Sequence, residues 1–298
     1  VSNASPYRHT IFTAGYSSFV QDPATTSRVT SDRGFIIEAD SPIYVSVRLN
    51  AGGNAQAGAL VSKGENALGT TFRIGTYDNQ GSPGPNYLNF FSFMATEDNT
   101  TVNLTSNNTS GLVIENFGTG QFPINNIVLN RGQSYAVAVR PDQATGNRAG
   151  LIGALVSSDK PIVVNSGSAN GSFGNGSARD YGIDQIVELS KVGKEYIFVK
   201  GDGADSYENI LVVAHEDNTE VYVNDDTNPV ANIGAGSYYI IEGDSFTNNN
   251  MYVSTSKDVF VYQGIGGTEN EANQAMFFVP PLSCGSRGDV DNIPFKDR

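Results

Sequence analysis

Short apolar runs separated by clusters of turn residues follow one another along the whole chain. Runs at residues 89–95, 210–214 and 238–241 are rich in aromatic and β-branched side chains, which suit pleated strands. Gly, Asn, Asp and Ser fill the intervals between the runs, and these residues favour turns. Because no long helical pattern separates the runs, the chain is predicted to be all-β, built from antiparallel hairpins and meanders.

Two different motifs recur with one spacing. Residues 95–102 return as residues 214–221, and residues 40–45 return as residues 159–164, both after 119 residues (214 − 95 and 159 − 40). A shared period in unrelated motifs indicates a duplicated structural unit.

The repeat suggests a division of the chain. The prediction is an N-terminal strand segment and linker at 1–33, a first β unit at 34–153, a second at 154–283, and a C-terminal linker at 284–298 that leads to further domains. Four consecutive strands of one unit would make a propeller blade, so a β-propeller-like arrangement is preferred, with a stacked β-sandwich as the alternative.

The repeated motifs themselves look like turns. Asp-Ser-Pro at 40–42, Ser-Asp-Lys-Pro at 158–161 and Ser-Lys-Asp at 256–258 each stand between two apolar runs, so they are predicted to close three versions of one hairpin. Glu97-Asp98 and Glu216-Asp217 could be acid/base pairs, but a catalytic site is needed once and a turn is copied with its unit. The Glu-Asp-Asn-Thr segments are therefore interpreted as turns that use Asx hydrogen bonds.

Charge narrows the classes of partner. The net charge is −13, with 18 basic against 31 acidic residues, which argues against nucleic acid and against an anionic membrane surface. No apolar run reaches the 18 residues that would indicate a membrane-spanning helix, and residues 1–5 show no leader pattern. No nucleic-acid partner and no membrane insertion are expected.

Several of these phrases resemble one known family. The segments at 158–164, 129–135 and 184–196, together with the Glu-Asp-Asn-Thr turns, are similar to the N-terminal domain family of IgGFc-binding protein. The tail at 278–294 looks like the version in very large surface proteins of Bacteroidetes that carry gliding-motility-associated C-terminal domains. The resemblance covers the chain from about Gly34 onward and implies a secreted or surface-displayed adhesion module, exported by the type IX route. The family's proline pair and tryptophan are replaced by residues 189–192 here, so IgG binding is not carried over.

Candidate ligand contacts lie where the two copies differ in length. The loop at 77–85 is longer in the first copy and the loop at 165–183 in the second. Aromatic rings near the first loop could stack on a sugar, and the second is a long polar loop of the kind that binds ligands. The candidates are Tyr77, Tyr87, Asn170, Phe173 and Asn175.

Calcium is the one cofactor that the sequence leaves open. Asp202, Asp205 and Glu208 group hard oxygen ligands in a short glycine-containing loop, although they do not complete an EF-hand. No other cofactor is expected. His9 and His215 lack the spacing of zinc ligands, and no Gly-x-Ser-x-Gly elbow is present in the sequence.

These observations predict a non-enzymatic extracellular module for adhesion or ligand display. Its partner would be a surface glycan or a protein, and the neighbouring domains of the same polypeptide would be further contacts. A carbohydrate-binding module and a structural stalk segment are the alternatives, and a glycan hydrolase acting through acidic loop residues is the enzymatic one.

Overall fold

The all-β prediction is confirmed. The structure, a computed structural model, describes residues 6–11, 22–51, 56–81, 83–107, 111–119, 122–174, 176–268 and 271–282. Within these residues the only helices are short 3-10 turns, at Pro23–Thr25, Gly64–Ala67, Thr145–Asn147, Leu189–Lys191 and Gly243–Ser245. None of the described helices is long and apolar enough to cross a bilayer.

The strands are numbered along the chain. They are β1 (Ser46–Ala51), β2 (Gln56–Val61), β3 (Gly69–Arg73), β4 (Asn89–Ala95), β5 (Thr100–Thr105), β6 (Val113–Ile114), β7 (Gly118–Thr119), β8 (Ile124–Leu129), β9 (Ser134–Val139), β10 (Leu155–Ala169), β11 (Ser177–Arg179), β12 (Tyr181–Ile186), β13 (Gly193–Val199), β14 (Ile210–Ala214), β15 (Thr219–Val223), β16 (Ala231–Ile233), β17 (Tyr238–Ile241), β18 (Asn250–Ile265), β19 (Glu271–Asn273) and β20 (Ala275–Phe278).

The first large sheet is organised by the long strand β10. Its beginning pairs with β5 and β3, and its end pairs with β4 and β12, all antiparallel. The register shifts between Ser157 and Ile162, at the segment that contains Pro161. Proline has no amide hydrogen for a ladder, and inside sheets it is found at edges and bulges. The predicted hairpin turn at 158–161 is therefore wrong, because this segment is a bulge within one continuous strand.

The second large sheet repeats this plan around β18. The beginning of β18 pairs with β13 and β15, and its end pairs with β14 and β20. The segment at 256–258 again lies inside the long strand and closes no hairpin. Strands β3, β4, β5, β8, β9, β10 and β12 thus correspond in order to β13, β14, β15, β16, β17, β18 and β20. The propeller-like arrangement is not confirmed, since each copy is a sheet folded about one long strand.

The Glu-Asp-Asn-Thr segments turn the chain in both copies, but their aspartates bond to a distant segment and not, as the Asx prediction required, to their own downstream amides. Asp98 Oδ1 accepts the backbone N–H of Arg131 at 3.0 Å, and Asp217 Oδ1 accepts that of Ala235 at 2.9 Å. The Asn that follows each aspartate has a left-handed φ, 53° at Asn99 and 55° in the second copy. This backbone suits asparagine, whose short polar side chain tolerates it.

The remaining strands form two small pairs. Strands β1 and β2 make an antiparallel hairpin, and β11 and β19 make a short parallel pair. One hydrophobic core cluster contains residues of both large sheets, such as Phe91 and Val164 from the first and Phe260 and Phe278 from the second. A second cluster lies within the later sheet. The predicted unit boundaries stay a prediction, because a repeat can be divided at any point of its period.

Candidate functional site

A groove of about 1060 Å³ lies on the first sheet. Its floor is the outer face of β4, β9, β10 and β12. Its wall is formed by residues 33–45, called the strap below, and by the hairpin of β1 and β2. Binding sites for small ligands typically have volumes of about 300–1,000 Å³, so this groove is large enough for a short polymer.

Strand alternation places the floor residues. In β4 the residues at 91, 93 and 95 are buried, and the intervening ones point outward and are half-buried. Phe90, Ser92 and Met94 therefore face the groove, because neighbouring side chains of a strand point to opposite sides of the sheet. Val163 and Ile183 continue the apolar floor on β10 and β12.

The same face of the second copy is closed. At the positions that correspond to Ser92, Asn165 and Gln185, the second copy has Leu211, Tyr262 and Phe278, all in the core that it shares with the first sheet. These larger side chains exclude solvent. The groove therefore exists where the first copy carries smaller and more polar residues on a face that its duplicate seals. Phe278 corresponds to Gln185 because Gln185 is the partner of Asn165 between β10 and β12, and Phe278 is the partner of Tyr262 between β18 and β20.

Two amide side chains give the groove unused hydrogen-bonding capacity. The Oδ1 atoms of Asn165 and Asn170 are buried, and neither has a partner among the described residues. Both residues line the groove. Leaving such an acceptor unpaired costs about 1–3 kcal/mol. Because both oxygens are shielded from solvent, a ligand in the groove would pair with them only after the amide side chains rotate toward it.

One end of the groove adjoins the two loops that differ in length between the copies. Asn86 and Leu88 follow the first loop and Asn170 belongs to the second, and all three line the groove. The loops also bind each other, because the backbone N–H of Asn79 donates to Ser172 O at 3.1 Å and the N–H of Ser172 donates to Asn79 Oδ1 at 3.2 Å. The length differences in the sequence therefore mark one structural feature.

Two of the predicted ligand residues are not exposed. Tyr77 and Phe173 are 1% and 2% exposed and meet edge to face, with ring centroids 4.7 Å apart. The hydroxyl of Tyr77 lies 2.8 Å from Asn273 Oδ1 and 2.7 Å from the carbonyl of Ala275, and burial raises its pKa well above the usual value. A sugar cannot stack on a ring without an exposed face. The prediction of ligand contacts at these two residues is corrected, because they hold the loops to the core.

The other predicted residues of this group have different positions. Tyr87 is half-buried, and the guanidinium carbon of Arg179 lies 4.3 Å from its ring centroid, a cation–π arrangement. One face of this ring is therefore already occupied. Asn170 lines the groove, and its role as a ligand contact stays a prediction. Asn175 lies outside the described residues.

The three predicted calcium ligands do not converge. Glu208 is fully buried, and its carboxylate accepts the backbone N–H groups of Gly201 at 3.0 Å, Gly203 at 2.9 Å and Gly266 at 3.2 Å. Asp205 is exposed and forms an ion pair with Lys200, and Asp202 is exposed. Within the described part of the chain, no three His, Cys, Asp or Glu side chains are grouped to hold a metal ion. The structure thus uses Glu208 to order its loop, and calcium binding stays untested.

A buried ion pair stands beside the groove. Lys63 Nζ lies 2.7 Å from Asp184 Oδ2, which also accepts the backbone N–H of Phe278 at 2.9 Å. Desolvation raises the pKa of Asp184 and lowers that of Lys63, and the attraction between the two charges opposes both shifts. This pair connects the segment after β2 with β12 and β20, and so fixes the hairpin that forms the groove wall.

Comparison with known protein families decides the assignment. Residues 57–296 match the family described as IgGFc binding protein. The chain belongs to this family. The match confirms the resemblance seen in the sequence, and it spans β2 to β20, which includes the whole floor of the groove. No match is found among the curated proteins or among the solved structures.

The groove could not be recognised from the sequence of this member of the family. Its floor and wall come from segments that lie up to about 150 residues apart. Within each floor strand, every second residue faces the groove and the residues between them face the core. The usable signal was the difference between copies, because Ser92, Asn165 and Gln185 are polar where the aligned second copy is apolar.

Proposed function

We propose that the domain is an extracellular, non-enzymatic binding module for adhesion or ligand display, and that it takes an extended polypeptide segment in the groove. Membership of the IgGFc-binding family supports a protein-binding role. The observation that carries the proposal is the combination of an apolar floor with two unpartnered amide oxygens in one groove. An extended peptide offers what such a site needs, since its side chains alternate with backbone N–H donors.

The geometry favours a polypeptide over a charged ligand. The floor residues named above are apolar or uncharged, and the two lining residues with a full charge are Arg33 and Lys63. Lys63 is already paired with Asp184. Tyr87, the ring predicted to stack on a sugar, lies outside the groove lining and under Arg179.

The test uses three probes on the immobilised domain: a phage library of random peptides, an IgG Fc fragment and a glycan array. Ile183→Arg places a long charged side chain on the groove floor, and Val199→Arg is the matched control on an exposed residue of β13. The proposal predicts peptides or Fc that bind the wild type and the control and fail to bind Ile183→Arg. Binding confined to glycans, or peptide binding that survives Ile183→Arg, would contradict it.

A further inference from the structure

Apolar side chains of the strap are exposed to solvent, and two of them correspond to buried residues of β10. Ile37, Ile43 and Tyr44 are 58%, 48% and 72% exposed. Under the 119-residue shift, Ile37 and Ile43 correspond to Val156 and Ile162, which are 0% exposed. Apolar residues at such exposure, grouped on one segment, mark an interaction surface.

The correspondence between the strap and β10 extends beyond sequence. Gly34 and Gly153 are equivalent under the shift and both have positive φ, 107° and 82°. The strap is followed by the antiparallel pair of β1 and β2. In the same way, residues 155–158 are followed by the antiparallel pairing of the end of β10 with β12. A 3-10 turn then leads into β3 at Gly69, as another leads into β13 at Gly193. Residues 34–61 therefore reproduce the final long strand and hairpin of a repeat unit.

What differs is the pairing. Residues 155–158 of β10 lie between β3 and β5, and residues 162–168 lie beside β4. Residues 35–45 of the strap belong to no strand ladder within the described part of the chain, and β1 pairs there with β2 alone. The backbone N–H of Ser62 donates to the carbonyl oxygen of Val45, so these two residues form a hydrogen-bonded pair of the antiparallel hairpin. By antiparallel alternation the backbone groups of Ser46 and Arg48 point to the outer edge of β1.

We propose that the strap and the outer edge of β1 form a docking surface for the β-strands of a further repeat unit in the same polypeptide. The incoming strands correspond to β3, β4 and β5 and pair antiparallel with residues 35–51, and the unit that carries them covers Ile37 and Ile43. The two complete copies support this occupant, because the equivalent strand is enclosed in that way in both. The inference rests on the proposed function, because the strap is one wall of the groove. It specifies the polypeptide that binds to this wall, namely the strands of a further repeat unit.

The test compares the intact chain with a longer polypeptide in which residues 69–152 are placed directly before Gly34. This junction supplies the missing strands from the chain's own sequence, because Gly34 is equivalent to Gly153. Amide hydrogen exchange at residues 35–45 is measured in both. The inference predicts exchange slowed by at least about tenfold in the longer polypeptide, because the amides enter ladders. It also predicts that Ile43→Glu abolishes this protection and that Val128→Glu, on an exposed residue of β8, leaves it intact.

A second measurement guards against failure of the longer polypeptide to fold. A synthetic peptide of residues 88–105, which contains β4 and β5, is added to the intact chain. It is predicted to protect residues 35–45 in the wild type and to have no effect on Ile43→Glu. Exchange at 35–45 that stays fast with both additions overturns the inference. That result would leave peptide binding in the groove of the intact chain untouched, so the two proposals fail separately.

Discussion

Lys63 and Asp184 form a buried ion pair of 2.7 Å between elements that lie more than a hundred residues apart in the chain. The side chains are 22% and 9% exposed. Because Asp184 also accepts the N–H of Phe278, one carboxylate connects the segment after β2, strand β12 and strand β20. The pair therefore ties the β1–β2 hairpin, which forms the groove wall, to β12 on the groove floor and to β20 of the second sheet.

Lys63→Met should lower the free energy of unfolding by about 2–3 kcal/mol at pH 7, because it leaves the buried carboxylate without its partner. Desolvation already raises the pKa of Asp184, and loss of the ammonium raises it further. An acid whose folded pKa exceeds its unfolded pKa loses stability as the pH rises between the two values. The deficit should thus be largest at pH 7 and shrink toward pH 4. Urea unfolding at both pH values measures it, with exposed Lys194→Met as the control; an equal deficit at both pH values would contradict this account.

Asp78→Asn should stabilise the protein above pH 6. Burial raises the pKa of Asp78 to about 6, and its Oδ1 is buried with no partner among the described residues. The wild type therefore loses stability as the pH rises from about 4 to about 6, by at most about 3 kcal/mol for a shift of this size. The asparagine does not ionise and avoids this loss. Thermal unfolding from pH 4 to pH 8 should show the variant gaining on the wild type as the pH rises; parallel curves would refute the assignment.

Glu208→Gln should destabilise the loop at 200–208, by about 1–3 kcal/mol, because charge-assisted bonds from three backbone N–H groups are lost or weakened. The same geometry predicts that excess chelator leaves the melting temperature of the wild type unchanged. Asp202→Asn, at an exposed position of the loop, is the matched control. A melting temperature that falls with chelator and recovers with calcium would show that the three acidic residues hold a metal after all.

Asp98→Ala and Asp217→Ala should cost similar amounts of stability, about 1 kcal/mol each, since each removes one hydrogen bond to a backbone N–H in an equivalent turn. Neither turn contributes a residue to the groove lining, so both variants should bind selected peptides like the wild type. Chemical denaturation and a binding titration check the two halves of this prediction. A loss of binding in one variant alone would indicate that the turns have separate functions.

The sequence predicts the fold class and the duplication because both depend on local patterns. Alternating apolar runs are set by neighbouring residues, and the Glu-Asp-Asn-Thr segments turn the chain as predicted, although the bonds of Asp98 and Asp217 reach a distant segment that the local pattern did not indicate. The segment around Pro161 is misread, because turns and strand bulges use the same residue types, and only the partners of β10 distinguish them. The burial of Tyr77 and Phe173 follows from contact between two loops about ninety residues apart, which no local pattern reports. The groove escapes prediction for the same reason.

The central claim is that the groove binds polypeptide, and hydrogen exchange of a peptide complex tests it most directly. The tightest peptide selected on the wild type is added in excess, and amide exchange is compared with the free domain. The account predicts slower exchange at residues 45–49, 90–94 and 163–170, with unchanged exchange in β13 and β15. Protection at β13 or β15, with none on the groove residues, would contradict it.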